Sequence, residues 1–177
     1  SQINPHVLFN NLNTIYSYAL EKPNETPELI LRLSDNLKHV LYESNAKKIS
    51  LQKEVQFIDN YMTFQELRTE GVNTIVYSKN IENEKNQIAP LLLITIIENA
   101  FKHSSLNSEI IVSIFEKKGV LECICENDFI EKGHDLNEFK IGLQNLEKRL
   151  QLLYSDNYEL TISQNSKFKV YLKLNLI

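Results

Sequence analysis

Four short stretches carry the side chains able to do chemistry. The first is QINPHVLFNNLNTI, residues 2–15, which sets a lone histidine, His6, after a proline and among Asn4, Asn10, Asn11 and Asn13. A neutral imidazole is a nucleophile near pH 7, and a neighbour that holds one ring nitrogen leaves the other free to attack. Asn10, one helical turn on, has the spacing of such an orienting group, whereas no acidic residue adjoins His6 to serve as its base. The plainer reading is a surface histidine near a helix cap. The second stretch is IIENAFKHS, residues 96–104, where Asn99 and His103 share a helix face with Lys102 beside them and Glu98 just before. A neutral amide oxygen is a hard ligand that can hold Mg²⁺ while water and phosphate fill the other positions; the alternative is a helix end whose polar residues are merely solvated. The third, KIGLQNLEKRLQLLY, has Gly142 before an expected helix whose first amides, from Leu143 onward, offer unpaired N–H groups to phosphate oxygens. Asn145 and Arg149 add polar groups on one face of that helix, and a single glycine before a helix also has a purely structural reading. The fourth is CICENDF, where Glu126, Asn127 and Asp128 close a strand, a position that serves either a ligand or a simple turn.

These groups need elements to position them. Asn4-Pro5 is a good helix start, and Leu8, Leu12, Ile15 and Ala19 form one stripe, with His6, Asn10, Asn13 and Ser17 on the opposite side. His6 is therefore presented, not buried. EKPNETP leads to a second helix with Thr26 as cap, Pro27 in its first turn and a stripe of Ile30, Leu33, Leu37, Val40 and Leu41. The two helices form an antiparallel hairpin, which buries little by itself and is expected to pair with a second hairpin in a four-helix bundle. ISLQKEVQFIDNYMTFQELRTEG reads as a third helix, capped by Ser50 and stopped near Gly71, with Val55, Ile58 and Met62 on one face.

Beyond Gly71 the texture changes. NTIVYSK reads as a strand, and APLLLITIIENAFKH as a helix so apolar that it must lie against a sheet. EIIVSIFEKKGVLECICEN reads as a hairpin turning at Lys118-Gly119, and residues 128–140 as a loop. A helix over IGLQNLEKRLQLLY and a closing hairpin complete the order. The fold class expected is α+β, a helical hairpin at 1–48 followed by a helix-and-mixed-sheet sandwich at 49–177, with the boundary between residues 44 and 70.

The totals exclude some classes. With 42% hydrophobic residues, 177 residues fill a sizeable core, and a net charge of -4 argues against nucleic acid as a partner. No run of ~18 apolar residues spans a bilayer and no signal peptide opens the chain. A chain that begins without methionine inside a patterned helix reads as a piece of something longer. Cys123 and Cys125, the only two cysteines, lie two apart on a strand and face the same way, which fits a reducing, cytoplasmic setting better than a structural disulfide.

Taken together and in order, QINPHVLFNNLNTI, PLLLITIIENAFKH and IGLQNLEKRLQLLY resemble the H-box, N-box and second glycine box of LytS-type sensor histidine kinases, and ISLQKEVQFIDNYM resembles their linker helix. The resemblance implies an ATP-binding domain of the Bergerat (GHKL) fold, an α/β sandwich, behind a dimerising hairpin. It implies that His6 takes the γ-phosphoryl of ATP and passes it to an aspartate on a response-regulator receiver domain, in a homodimer anchored by an upstream membrane segment. Carried over, Asn99 is the Mg²⁺ ligand, Glu98, Lys102 and His103 stand near the phosphates, Gly142 bounds the phosphate side and position 127 meets adenine. Two departures stand out: Asn127-Asp128-Phe129 replaces the usual aspartate followed by a glycine, and Glu138, Phe139 and Lys140 occupy a lid that is commonly glycine-rich. Asparagine at 127 still accepts a hydrogen bond from adenine, but its amide can turn over and donate to guanine. ATP hydrolysis on the same fold is disfavoured, because the position one turn before Asn99 is Thr95, not a carboxylate. The competing class is a module that no longer uses ATP and acts by dimerising and docking a regulator.

Overall fold

Proline at the first helical turn and apolar spacing fix the opening elements. In the computed structural model the described residues are 5–128 and 136–177, the side chains of 136–140 excepted. Helix α1 (Pro5–Glu21) starts on the proline, whose missing N–H is not needed there; Asn4, the expected cap, lies outside the described residues. Helix α2 (Thr26–Lys38) follows, with Pro27 in its first turn. Thr26 is not its cap: it is the first helical residue, and its hydroxyl donates back to the Lys22 carbonyl at 3.1 Å. One π-helical turn, His39–Glu43, extends α2.

The hairpin's inner stripe differs from the expected one. Ile15 and Leu8 pack inward from α1 and Leu29 and Leu33 from α2, whereas Leu12, Ile30 and Leu41 are exposed. The reason is a third helix, α3 (Leu51–Arg68), which lays Phe64 between the other two and draws their inner faces toward itself. A second apolar stripe is left outside, Phe9, Leu12, Tyr16 and Leu20 on α1 at i, i+3, i+7 and i+11, and Leu31 and Tyr42 are exposed as well. Ser50 caps α3 by accepting the Lys53 N–H at 3.4 Å, and the helix ends before Gly71, whose φ of 73° reverses the chain.

The opposite face of α3, with Val55, Ile58 and Met62, joins the main core. Strand β1 (Ile49–Ser50) pairs antiparallel with β3 (Gln87–Ile88), pinning the start of α3 to the chain before α4 (Leu93–His103). The main sheet contains β2 (Thr74–Ile81), β4 (Glu109–Lys117), β5 (Val120–Asn127), β6 (Tyr158–Gln164) and β7 (Phe168–Asn175) in the order β2-β4-β5-β7-β6. Only β2 and β4 run parallel, so the sheet is mixed as expected. The β4–β5 turn falls at Lys118-Gly119, both at positive φ, the conformation that matches strand twist in a two-residue hairpin. Alternation places Ile110, Val112, Ile114, Leu121, Val170 and Leu172 in the core, and Cys123 and Cys125 beside them as free thiols.

Helix α5 (Leu136–Tyr154) covers the same face next to α4, burying Leu143, Leu146 and Leu150. It corrects the loop expected over 128–140: residues 136–140 are helical, and 129–135 lie outside the described residues. Leu136, Glu138 and Lys140 are good helix formers that show no apolar stripe, so periodicity did not reveal this turn. Among the described residues no helix is long and apolar enough to cross a membrane.

Candidate functional site

The end of α4, the end of β5 and one face of α5 come together. Asn73 Nδ2 donates to Ser104 Oγ at 3.3 Å and to the Ser105 carbonyl at 3.2 Å, fixing the exit from α4. The Ser105 N–H then donates to the Asp128 carbonyl at 2.9 Å, which ties that exit to the end of β5. Asn99 and His103 are half-buried on α4, and Lys102 is exposed between them.

The Asn99 amide is the group the fold isolates. Its Nδ2 is buried and has no hydrogen-bond partner among the described residues. Gly142 of α5 lies against it, so close that a Cβ there would meet Nδ2 at 3.5 Å and Oδ1 at 3.6 Å. This changes where the sequence reading placed Gly142. Gly142 does border the Asn99 side chain, but as the seventh residue of α5, not as the residue before a helix. The amides of Gly142 and Leu143 are therefore spent on bonds within the helix, and the Leu143 side chain is in the core. What Gly142 contributes is the absence of a side chain. Asn145 is exposed, one turn on from Gly142. Glu138, Phe139 and Lys140 have side chains outside the described set.

Asn127 is 1% exposed at the end of β5, paired with Ile110 on one side and Phe168 on the other. Its Nδ2 donates to the Asp128 carbonyl at 3.0 Å. That bond uses one of the two Nδ2 hydrogens and leaves the second, together with Oδ1, for other partners; turning the amide over would break it. The amide therefore keeps a donor and an acceptor without turning over.

On the far side of α4 a cleft of about 480 Å³ separates the helical hairpin from the sandwich, lined by Val7 and Asn11 of α1 and by Thr95, Glu98 and Arg149. Glu98 accordingly faces the hairpin and not Gly142. Solvent reaches its carboxyl, yet surrounding protein desolvates it and raises its pKa, with Lys102 pulling the other way. His6 is exposed, as its helix face requires, and lies about 100° round α1 from Val7, so its ring is turned away from this cleft. Asn10, on the His6 face, lines a second groove with Asn13, Ser17 and Arg68, and its carbonyl accepts the Thr14 hydroxyl at 3.0 Å.

Arg149 has a structural role that its spacing did not disclose. Its guanidinium donates to the carbonyls of Pro90 and Leu91, the latter at 3.3 Å, just before α4. Glu54 of α3 also escaped notice, although an acid in the run Leu51, Glu54, Val55, Ile58 stands on a buried stripe. It is 0% exposed, and its carboxylate accepts the N–H groups of Leu91, Leu92 and Leu93 at 3.0, 3.1 and 3.4 Å, capping α4 from another helix. Among the described residues no group of three or more His, Cys, Asp or Glu is arranged to hold an ion. A metal at Asn99 would draw its remaining ligands from phosphate and water, a coordination that suits Mg²⁺.

Comparison with known proteins bears on the family and the fold. A family model described as histidine kinase matches residues 1–72. The sensor histidine kinase YpdA of Escherichia coli (strain K12) is 32% identical over 177 residues, an alignment that covers 88% of this chain and 30% of that protein. The sensor protein LytS of Staphylococcus saprophyticus (strain ATCC 15305) is 28% identical over 182 residues, covering 94% of this chain and 30% of that one. The chain thus spans under a third of either relative's length. A crystal structure of the histidine kinase ThkA in complex with the response regulator protein TrrA has the same fold, with a TM-score of 0.50 at 15% identity over 98% of this chain and 60% of that one. Through its ordered motifs, its helix-and-mixed-sheet architecture and these relatives, the chain belongs to the LytS-type sensor histidine kinases.

Proposed function

We propose that this region transfers the γ-phosphoryl group of ATP to His6 and then to an aspartate on a response-regulator receiver domain. The observation that carries the reading is the Asn99 amide, with a buried, unpartnered Nδ2 and a glycine backbone in place of a side chain facing it. Mg²⁺ bound through the Asn99 oxygen would supply neutralisation of phosphate charge, which is most of what phosphoryl transfer asks of its surroundings. Lys102 and His103 add donors at the end of the same helix, and Asn127 offers Oδ1 to the adenine amino group. The lone pair of one His6 ring nitrogen attacks the γ-phosphorus while the bond to the β–γ bridging oxygen breaks. ADP leaves with that electron pair, the other ring nitrogen releases its proton to solvent, and Asn10 holds the ring by its second nitrogen. The phosphoryl group then passes from nitrogen to a receiver carboxylate, a partner of the kind named in the ThkA–TrrA complex.

His6 stands on an exposed face of α1, where a second copy can meet it, and we include that copy in the reading. The exposed stripe of Phe9, Leu12, Tyr16 and Leu20 gives two hairpins a surface on which to pair as a four-helix bundle. The other reading, a dimerising and docking module that does not use ATP, is favoured by Asn127 in place of aspartate. Calorimetric titration with ATP and Mg²⁺ separates the two. The kinase reading expects saturable binding that weakens at least about tenfold in a folded Asn99→Ala variant. No binding to the parent supports the docking module, and equal affinity in both proteins removes Asn99 as a ligand.

A further inference from the structure

The hairpin and the Asn99 helix are joined by a buried pair of titratable groups that phosphoryl transfer does not use. Along α2, Leu29, Leu33 and Asn36 face inward. His39, one turn on from Asn36, is buried too, and a π-helical turn, a local widening that recurs at functional positions, begins there. The ring stacks on Phe57 of α3, with centroids 4.6 Å apart and planes 17° from parallel. Its Nε2 is buried, makes no hydrogen bond among the described residues and lies 3.6 Å from Glu54 Oε2. Its Nδ1 lies 3.6 Å from Glu43 Oε2, and the other oxygen of Glu43 meets Lys53 Nζ at 3.0 Å.

Glu54 is where this pair reaches the site. The same Oε2 that faces His39 accepts the Leu91 N–H, and Oε1 accepts those of Leu92 and Leu93. Leu91 is a non-glycine residue at φ 57°, a left-handed conformation that a leucine keeps only where its surroundings impose it. Those surroundings are Glu54 from α3 and the Arg149 guanidinium from α5. Asn99 follows less than two turns after this junction. A shift of α2 that changes the distance from His39 to Oε2 therefore alters the anchor of the strained turn from which the Asn99 helix starts.

We propose that His39 and Glu54 are a positioning pair through which the phospho-acceptor hairpin sets the start of the Asn99 helix. The purpose of this coupling rests on the kinase reading, but its existence does not, and the test keeps the two apart. Amide hydrogen exchange is followed at Leu91, Leu92 and Leu93 in the full 177-residue chain, in the parent, His39→Phe, Glu54→Gln and the double variant. Phenylalanine keeps the stack on Phe57 and removes the nitrogens. The expected result is exchange about tenfold faster at those three amides in His39→Phe, with amides in β5 and β7 unchanged, although His39 bonds to none of them. The double variant should exchange no faster than Glu54→Gln alone. His39→Gln, which restores a side-chain donor, should return toward parent rates, and His39→Leu serves if phenylalanine does not fold. Parent rates in folded His39→Phe or His39→Leu, or effects of the two sites that multiply, overturn the proposal. Labelling with γ-labelled ATP on the same proteins reports on the kinase reading separately: exchange coupling without label refutes that reading alone, and label without exchange coupling refutes the pair alone.

Discussion

Replacing Gly142 by alanine should stabilise the protein and weaken its nucleotide binding at once. Gly142 is an interior residue of α5 and is not at positive φ, so alanine adopts its conformation without strain. Relief of the glycine penalty inside a helix contributes up to about 1 kcal/mol, which in a chain of this length raises Tm by about 2–4 °C. The new methyl carbon meets the Asn99 amide at 3.5 and 3.6 Å, ordinary contact that requires no rearrangement. It would, however, cover the atoms assigned to Mg²⁺ and phosphate. Displacing one such ligand costs about 1.4 kcal/mol or more, that is, at least about a tenfold loss in affinity. Thermal melts and calorimetric titration with ATP and Mg²⁺ on parent and Gly142→Ala check both halves. A higher Tm with unchanged affinity would refute the assignment of the Gly142–Asn99 contact to the nucleotide site. A lower Tm would contradict the placement of Gly142 inside the helix.

At Asn127, aspartate loses the donor to the Asp128 carbonyl and sets a carboxylate oxygen beside it in a buried position. Asn127→Asp should therefore cost about 1–3 kcal/mol in urea denaturation; a stability equal to the parent's would show that this bond does not hold the strand end. With one donor and Oδ1 still available, Asn127 in the parent should discriminate poorly between ATP and GTP, and strong rejection of GTP in paired titrations would remove it as the base-reading residue. Desolvation raises the Glu98 pKa in the folded state, so its contribution to stability is fully present below the unfolded carboxylate pKa and is lost as pH rises through the folded one. Glu98→Gln should then be more stable than the parent at pH 7 and match it near pH 3; the reverse trend in melts across that range would contradict the sign. Leu12→Glu in the outer stripe should convert a dimer into a monomer in sedimentation equilibrium, and a parent that is already monomeric would show that this stripe is not a subunit contact.

Much of the architecture was legible because burial leaves periodic traces. The β4–β5 hairpin and its Lys118-Gly119 turn, the Ser50 cap and the apolar α4 all declare themselves by spacing and turn chemistry. The start of α5 did not, because Leu136 to Lys140 combine helix-forming residues without a stripe, and that moved Gly142 from a helix terminus to a helix interior. The hairpin's inner face was misassigned at Leu12 and Ile30 because a two-helix periodicity takes no account of Phe64 arriving from α3. Around the site, Asn99 and Gly142 could be singled out from residue type and order, but the contact between them comes only from the fold. Glu54, His39 and Arg149 were not legible, since each acts on backbone or on a group distant in sequence, and only tertiary structure brings them to the Leu91 turn. The bond from Asn127 to its own neighbour's carbonyl belongs to the same class: the residue type does not show which backbone group one of its donors will meet.

The central claim is that His6 receives the phosphoryl group, and one labelling experiment addresses it. Parent and His6→Ala proteins, both folded and at a concentration where the parent is dimeric, are incubated with γ-labelled ATP and Mg²⁺. The account predicts an acid-labile, base-stable label on the parent and none on His6→Ala. Label that persists in His6→Ala, on His39, His103, His134 or elsewhere, contradicts it, as does an unlabelled parent that binds ATP.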